Sequence, residues 1–103
     1  MKPALVDTDI LSLFFRNNEN VVSNFKAYLK EHEKINISII TYYEILSGLS
    51  ADLYARLRKT GQMLDDIDIL IAGVAIANNL VFATRNKNHF ERIKELKIAD
   101  WSE

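Results

Sequence analysis

Two short apolar runs in this chain each end abruptly on a polar group: Ala4, Leu5 and Val6 stop at Asp7, and Leu80, Val81, Phe82 and Ala83 stop at Thr84. Consecutive apolar residues over so few positions suit a strand covered on both faces, which is the situation inside a parallel sheet. Parallel strands are joined only by long crossovers, usually helical and right-handed. The segments between the runs supply the helices. "DILSLFFRN" follows the first run and can be capped by Thr8 or Asp9. "NENVVSNFKAYLKEHEK" brings Val21, Phe25 and Leu29 to one face at four-residue steps. "INISIIT", over 35–41, is dense in β-branched residues and predicts a second strand. In "TYYEILSGLSADLYARLRKTG" the residues Ile45, Leu49, Leu53 and Leu57 keep a helical step, as one helix or as two broken at "SGLS". "DDIDILIAGVAIANN" opens acidic, as a helix N-terminus should, and then turns apolar on nearly every side, so it predicts a central, fully buried helix. "NKNHFERIKEL" reads as a short helix and "KIADW" as a closing edge strand.

The alternation is α/β throughout. With 103 residues, no Pro/Gly-rich linker and no repeat, residues 1–103 are expected to form a single domain. Apolar residues make up 49% and charged ones 26%, a globular balance, and no apolar run reaches the roughly 18 residues of a membrane span. The absence of cysteine and of a signal-peptide pattern near Met1 leads to the expectation of a soluble, cytoplasmic protein with no membrane partner. A net charge of −1 gives no global attraction for nucleic acid, so any such binding must come from local clusters. No G-x-S-x-G, Walker-type or G-x-G-x-x-G pattern occurs, which removes the serine-hydrolase, P-loop and dinucleotide readings.

In an open parallel sheet the ligand crevice lies beyond the carboxyl ends of the strands. Asp7 closes the first strand there; Thr41 closes the expected second strand, with Glu44 one turn later; Thr84, Arg85 and Asn86 close the third; Asp66 and Asp68 begin the helix that feeds it. Several carboxylates at one edge repel one another and raise each other's pKa values. A divalent cation with oxygen ligands, Mg²⁺ or Mn²⁺, resolves that repulsion and bridges carboxylates to substrate phosphates. Asp9 serves equally well as a helix cap, and Asp65 and Asp66 as partners of a helix dipole. Asp68 differs from them because it leads directly into "ILIA", where a buried carboxylate needs a partner. His89, in "NKNHF", reads as a satisfied semi-buried histidine rather than a base, and His32 lies on a charged helix face.

At these residues the sequence resembles the PIN-domain family, and within it the VapC-type toxins of bacterial toxin–antitoxin pairs. The segments that carry the resemblance are "LVDTDIL", "SIITYYEILSG" with its S-x-x-T-x-x-E-L-x-x-G-like spacing, "DIDILIAGVAIANN", and "LVFATRNKNHFERIKELKIADW" with T-x-N-x-x-x-F and a terminal Trp. They cover nearly the whole chain in the family's order. The resemblance implies a three-layer α/β/α fold with a mainly parallel central sheet. It also implies catalytic, metal-binding acids at Asp7, Glu44 and Asp68, with Asp9, Asp66, Asn86, Thr8 and Thr84 as auxiliary groups. Arg85 and Lys87 would be the nearest phosphate or RNA contacts. Lys26, Lys30, Arg56, Arg58 and Lys59 would extend that track. The implied reaction is Mg²⁺- or Mn²⁺-dependent hydrolysis of an RNA phosphodiester, restrained by a cognate antitoxin.

The chain departs from that pattern in its middle. Only 23 residues lie between Glu44 and Asp68. Family members usually carry more there, so internal shortening is expected between about 48 and 62, with the loss of one helix and one edge strand. An edge left open in this way invites pairing with another chain. A continuous helix over 42–60 would allow a homodimer, domain-swapped in one form. The alternative to an active nuclease is a catalytically inactive, truncated module that binds protein or dimerises; a phosphatase reading of "DTD" is weaker, because Leu11 replaces the expected Thr or Val.

Overall fold

The computed structural model describes residues 1–46 and 62–103. The elements in chain order are β1 (Ala4–Val6), α1 (Thr8–Phe15), α2 (Glu19–Glu31), α3 (Ile39–Leu46), α4 (Gln62–Ala77), β2 (Val81–Ala83), α5 (Lys87–Phe90) and β3 (Ile98–Ala99). The sheet runs β1-β2-β3 with both pairings parallel; Leu5 lies opposite Phe82 and Phe82 opposite Ile98. Side chains alternate across it. Ala4, Val6 and Ala83 face a core built from α1 and α2, with Ile10, Leu11, Val21, Phe25, Tyr28 and Trp101. Leu5 and Phe82 face the opposite way onto Ile71, Ala72 and Ala75 of α4 and Phe90 of α5. The result is helices over both faces of an open parallel sheet, the α/β/α arrangement that the alternating sequence implies.

Local chemistry decides where each element begins and ends. Asp7 itself caps α1: it is extended, at φ −77° and ψ 161°, and its side chain accepts the Thr8 N–H. Neither Thr8 nor Asp9, the caps expected from sequence, has that role, because both already lie inside the first turn. Asn18 caps α2 by accepting the Val21 N–H at 3.1 Å. The buried stripe of α2 is Val21, Phe25 and Tyr28, and Leu29, expected to continue it, is 44% exposed. Helices α1 and α4 finish in the same way. Asn17 (φ 60°) and Asn79 (φ 53°) adopt the left-handed conformation. After α1 the Asn18 N–H bonds Leu13 O and the Asn17 N–H bonds Phe14 O; after α4 Leu80 bonds Ala75 O and Asn79 bonds Ile76 O. These are paired Schellman closures, with asparagine where glycine is commonest.

Two sequence expectations are corrected. The strand predicted over 35–41 reduces to a single parallel bridge between Asn36 and Leu5, and Ile39–Leu46 is helical. Ser38 explains the switch: its hydroxyl accepts the Thr41 N–H at 3.0 Å while its carbonyl accepts the Tyr42 N–H. An N-cap of this kind outweighs the β preference of four isoleucines. Thr41 therefore lies in a first helical turn and does not close a strand. The outer edge of β1 is covered nonetheless, since Val6 N–H donates to Asn36 O, Asn36 Nδ2 to Ala4 O, and Ala4 N–H to the Tyr28 hydroxyl. The second correction concerns α4, expected to be buried all round. Residues 68, 71, 72 and 75 form its buried stripe, whereas Ile69, Leu70, Val74 and Ile76 are exposed. A helix laid on one face of a three-stranded sheet has only one side covered. Of the helix expected over 42–60, residues 42–46 are helical as part of α3; the rest of it, and the expected shortening between about 48 and 62 save for residue 62, lie outside the described residues.

The chain ends are tied to α2. The Met1 ammonium bonds Glu31 and the His32 ring nitrogen meets Met1 O; the hydrogen bond from the ammonium holds the exposed Glu31 carboxyl below its ordinary pKa. Asn24 donates to Trp101 O at 2.9 Å and Asn20 to Ser102 O at 3.0 Å. No helix among the described residues is long and apolar enough to cross a membrane.

Candidate active site

The carboxyl ends of β1 and β2 are adjacent, because Asp7 N–H continues the ladder onto Ala83 O at 2.8 Å. Asp7 and Thr84 consequently emerge side by side, both fully buried. Thr84 Oγ1 lies 2.9 Å from Asp7 Oδ2 and 3.3 Å from Asp9 Oδ2. With a single proton it donates chiefly to the nearer Asp7. The other oxygen of Asp7 accepts the Thr8 N–H at 2.9 Å. Asp9 Oδ2 also accepts the backbone N–H of Arg85 at 3.1 Å, and Thr84 Oγ1 accepts the Asn86 N–H at 3.1 Å. The loop after β2 is thus fastened to the start of α1 through the acids themselves.

Helix α3 brings the next acid. A helix places residues three apart on one face, so Ser38, Thr41 and Glu44 form a polar stripe, and all three are buried. That stripe meets Thr8. Thr8 Oγ1 stands 3.1 Å from both Thr41 Oγ1 and Glu44 Oε1, and Ser38 Oγ stands 3.2 Å from Thr41 Oγ1. Because a carboxylate only accepts, the proton of Thr8 goes to Glu44 and Thr41 donates to Thr8. Two threonines therefore orient two carboxylates: Thr84 for Asp7 and Thr8 for Glu44.

Asp68 is 2% exposed and shares a buried face of α4 with Ile71, Ala72 and Ala75. Its Oδ2 meets His89 Nε2 at 2.5 Å. The sequence set His89 aside as an ordinary semi-buried histidine; the signal that could have found it is its place immediately before Phe90, a fully buried anchor, in the loop that begins at Thr84. Of the other sequence candidates, Asn86 contributes its backbone N–H but no side-chain cap to α5. Lys87 Nζ lies 3.9 Å from Glu103 Oε2, an exposed pair. Arg85 is exposed at the rim, and the side chain of Asp66 lies outside the described residues.

The donor set is made of carboxylate oxygens in a largely dry setting, a chemistry that fits a hard divalent cation. The Thr84 hydroxyl joins Asp7 to Asp9, the Thr8 hydroxyl meets Glu44 while its backbone N–H meets Asp7, and His89 meets Asp68. Among the described residues no three Asp, Glu, His or Cys side chains stand together as a ready-made ion site.

No family model matches the chain. Comparison with individual proteins is more informative. The chain is 33% identical to Ribonuclease VapC1 of Methanocaldococcus jannaschii over 126 aligned positions, covering 93% of this chain and 86% of that protein. It is 23% identical to Ribonuclease VapC1 of Haemophilus influenzae, with 95% and 97% covered, and 30% identical to the tRNA(fMet)-specific endonuclease VapC of Shigella flexneri over 64% of this chain and 50% of that protein. The 126 positions of the first alignment exceed the 103 residues of this chain, so the archaeal relative is the longer over the matched span. A parallel sheet with helices on both faces, a buried Asp7 at the end of its first strand, and end-to-end similarity at this level agree with one another: the chain belongs to the VapC family of PIN-type proteins.

Proposed function

We propose that this chain is an endoribonuclease toxin that hydrolyses RNA phosphodiesters with the help of Mg²⁺ or Mn²⁺ and is neutralised by a cognate antitoxin. The observation that supports it most is that Asp7, Glu44 and Asp68 are each buried in a chain whose relatives are named as ribonucleases. Three buried carboxylates would be costly to keep ionised without a compensating cation. Asp7, Glu44 and Asp68 would hold that cation. When bound, it supplies Lewis acidity toward phosphoryl oxygens and activates water for attack on phosphorus. The protein's own part is orientation. Thr84 and Thr8 fix the carboxylates of Asp7 and Glu44, and Asp9 pins the loop from which Arg85 and Lys87 reach toward the RNA backbone. The antitoxin would lay a segment near the first helices and set a basic side chain among the acids, where charge complementarity is greatest.

This reading includes a homodimer. The exposed outer face of α4, with Ile69, Leu70, Val74 and Ile76, supports it, since apolar side chains grouped on one helix face mark association surfaces.

A second reading, an inactive module that only binds protein, is favoured by one observation: the described acids are not gathered into an ion site. The experiment that separates the two is incubation of structured RNA with the intact chain and Mn²⁺, beside Asp7→Asn and Glu44→Gln variants. The nuclease reading expects cleavage by the wild type and a loss of at least a hundredfold in each variant. Cleavage that is absent, or equal in all three, supports the inactive module.

A further inference from the structure

We infer that Ser38 and Thr41 are positioning residues for the reaction: they act on the Glu44 carboxylate through Thr8, along a one-way chain of hydroxyls. The inference rests on the nuclease reading above, in which Glu44 takes part, and adds two residues to it. The proton count fixes the direction of the chain, because each hydroxyl has one proton to donate. An ionised Glu44 only accepts, so Thr8 gives its proton to Glu44 Oε1, 3.1 Å away. With that proton committed, Thr8 Oγ1 accepts from Thr41 Oγ1 at 3.1 Å. Thr41 Oγ1 in turn accepts from Ser38 Oγ at 3.2 Å. Ser38 stands at the head, where its oxygen accepts the Thr41 N–H at 3.0 Å. Each hydroxyl thus gives one proton and receives one, and every O–H dipole points along the chain toward the carboxylate.

Burial gives the chain its leverage. Thr8 and Thr41 are each 1% exposed, so little water reaches them to replace a lost link. In such a setting successive hydrogen bonds polarise one another, and a charged acceptor strengthens the last of them. The anchor is firm at both ends. Thr8 opens α1, with its backbone N–H on Asp7 Oδ1 at 2.9 Å, and Ser38 caps α3. Thr41→Val separates the chain from the cap, because valine keeps the backbone N–H that Ser38 accepts and loses only the middle hydroxyl.

The test uses the intact chain with Thr8→Val, Thr41→Val, Thr41→Ser and Glu44→Gln, and with Thr41→Val combined in turn with Thr8→Val and with Glu44→Gln. Cleavage of an end-labelled RNA hairpin in Mn²⁺ gives kcat and KM, and urea unfolding is followed in EDTA. In Thr41→Val, kcat falls about 3–10-fold, the scale of one hydrogen bond. KM stays unchanged, because the loss lies in how an acid is held and not in RNA binding. Thr41→Ser restores the rate. The Thr8→Val, Thr41→Val pair is no slower than Thr8→Val alone, since links in series are lost together whereas independent losses multiply. In urea, Thr41→Val lowers the unfolding midpoint, and by less in the Glu44→Gln background, where a neutral amide ends the chain. An unchanged kcat in Thr41→Val, a loss that Thr41→Ser leaves in place, losses that multiply in the pair, or a urea effect indifferent to Glu44 each overturns the proposal. If the wild type leaves the hairpin intact, or Glu44→Gln cuts it as fast, the nuclease reading itself fails and takes this inference with it. Dependence on Glu44 without dependence on Thr41 sinks the hydroxyl chain alone.

Discussion

Single side chains at the β1 edge and the acid mouth do work that their residue types do not announce. Tyr28 looks like one more aromatic core residue, yet its hydroxyl receives the N–H of Ala4, a buried donor on the outer edge of the sheet. Tyr28→Phe leaves that donor without its acceptor and should cost about 1–3 kcal/mol in urea unfolding. Asp7 carries a different balance. It caps α1 and accepts from Thr84, but it does so beside other buried acids. In EDTA, Asp7→Asn should keep the helix content of the wild type in far-UV circular dichroism, because an amide oxygen can still accept the Thr8 N–H and cap α1. Glu31, whose carboxyl is held low by the Met1 ammonium, contributes stability above its ordinary pKa and loses it as pH falls through the depressed value. Full exposure keeps that contribution small, so Glu31→Gln should leave the acid-unfolding midpoint where it is. The sequence put Asp7 at a strand end and Asp68 before an apolar run, and both are buried, whereas Glu44 was located from a strand end at Thr41 that the structure replaces with a helix. The pairing of His89 with Asp68 was not legible, since the partner lies 21 residues away and only the neighbouring Phe90 marks the loop as turned inward.

Among the elements, the misreadings have definite causes. "INISIIT" contains the residues of a strand, but Ser38 offers the backbone a cap and Thr41 and Glu44 follow at helical spacing, so the chain turns into α3 after one bridge. Helix α4 was read correctly as a helix and wrongly as enclosed, because composition reports apolar content and not the width of the sheet beneath it. Two substitutions test these elements. Gly73 lies exposed within α4, and a Cβ built there meets nothing within 4 Å; Gly73→Ala should therefore stabilise the chain by about 0.5–1 kcal/mol. Asn79 holds the left-handed closure of the same helix, so Asn79→Ala should lower the melting temperature while Asn79→Gly holds or raises it.

The molecule as a whole joins a small sheet to an exposed apolar helix face and an acidic mouth. Two measurements belong at this scale. Adding Mn²⁺ at about a hundred times its dissociation constant should raise stability by about 2.7 kcal/mol, reversed by EDTA and absent in Asp7→Asn. Leu70→Lys, on the exposed face of α4, should convert the proposed homodimer to a monomer by light scattering with helix content retained; a wild type that is already monomeric removes that face as the dimer contact. The pairing of β1 with β2 carries one more consequence. Asp7 waits for Thr84, 77 residues further along, and Asp68 for His89, so a nascent polypeptide that has emerged only through its first two-thirds holds Asp7, Glu44 and Asp68 but neither Thr84 nor His89. Assembly of the mouth is thereby deferred to the last stage of synthesis, so these contacts close only once the C-terminal third has been made.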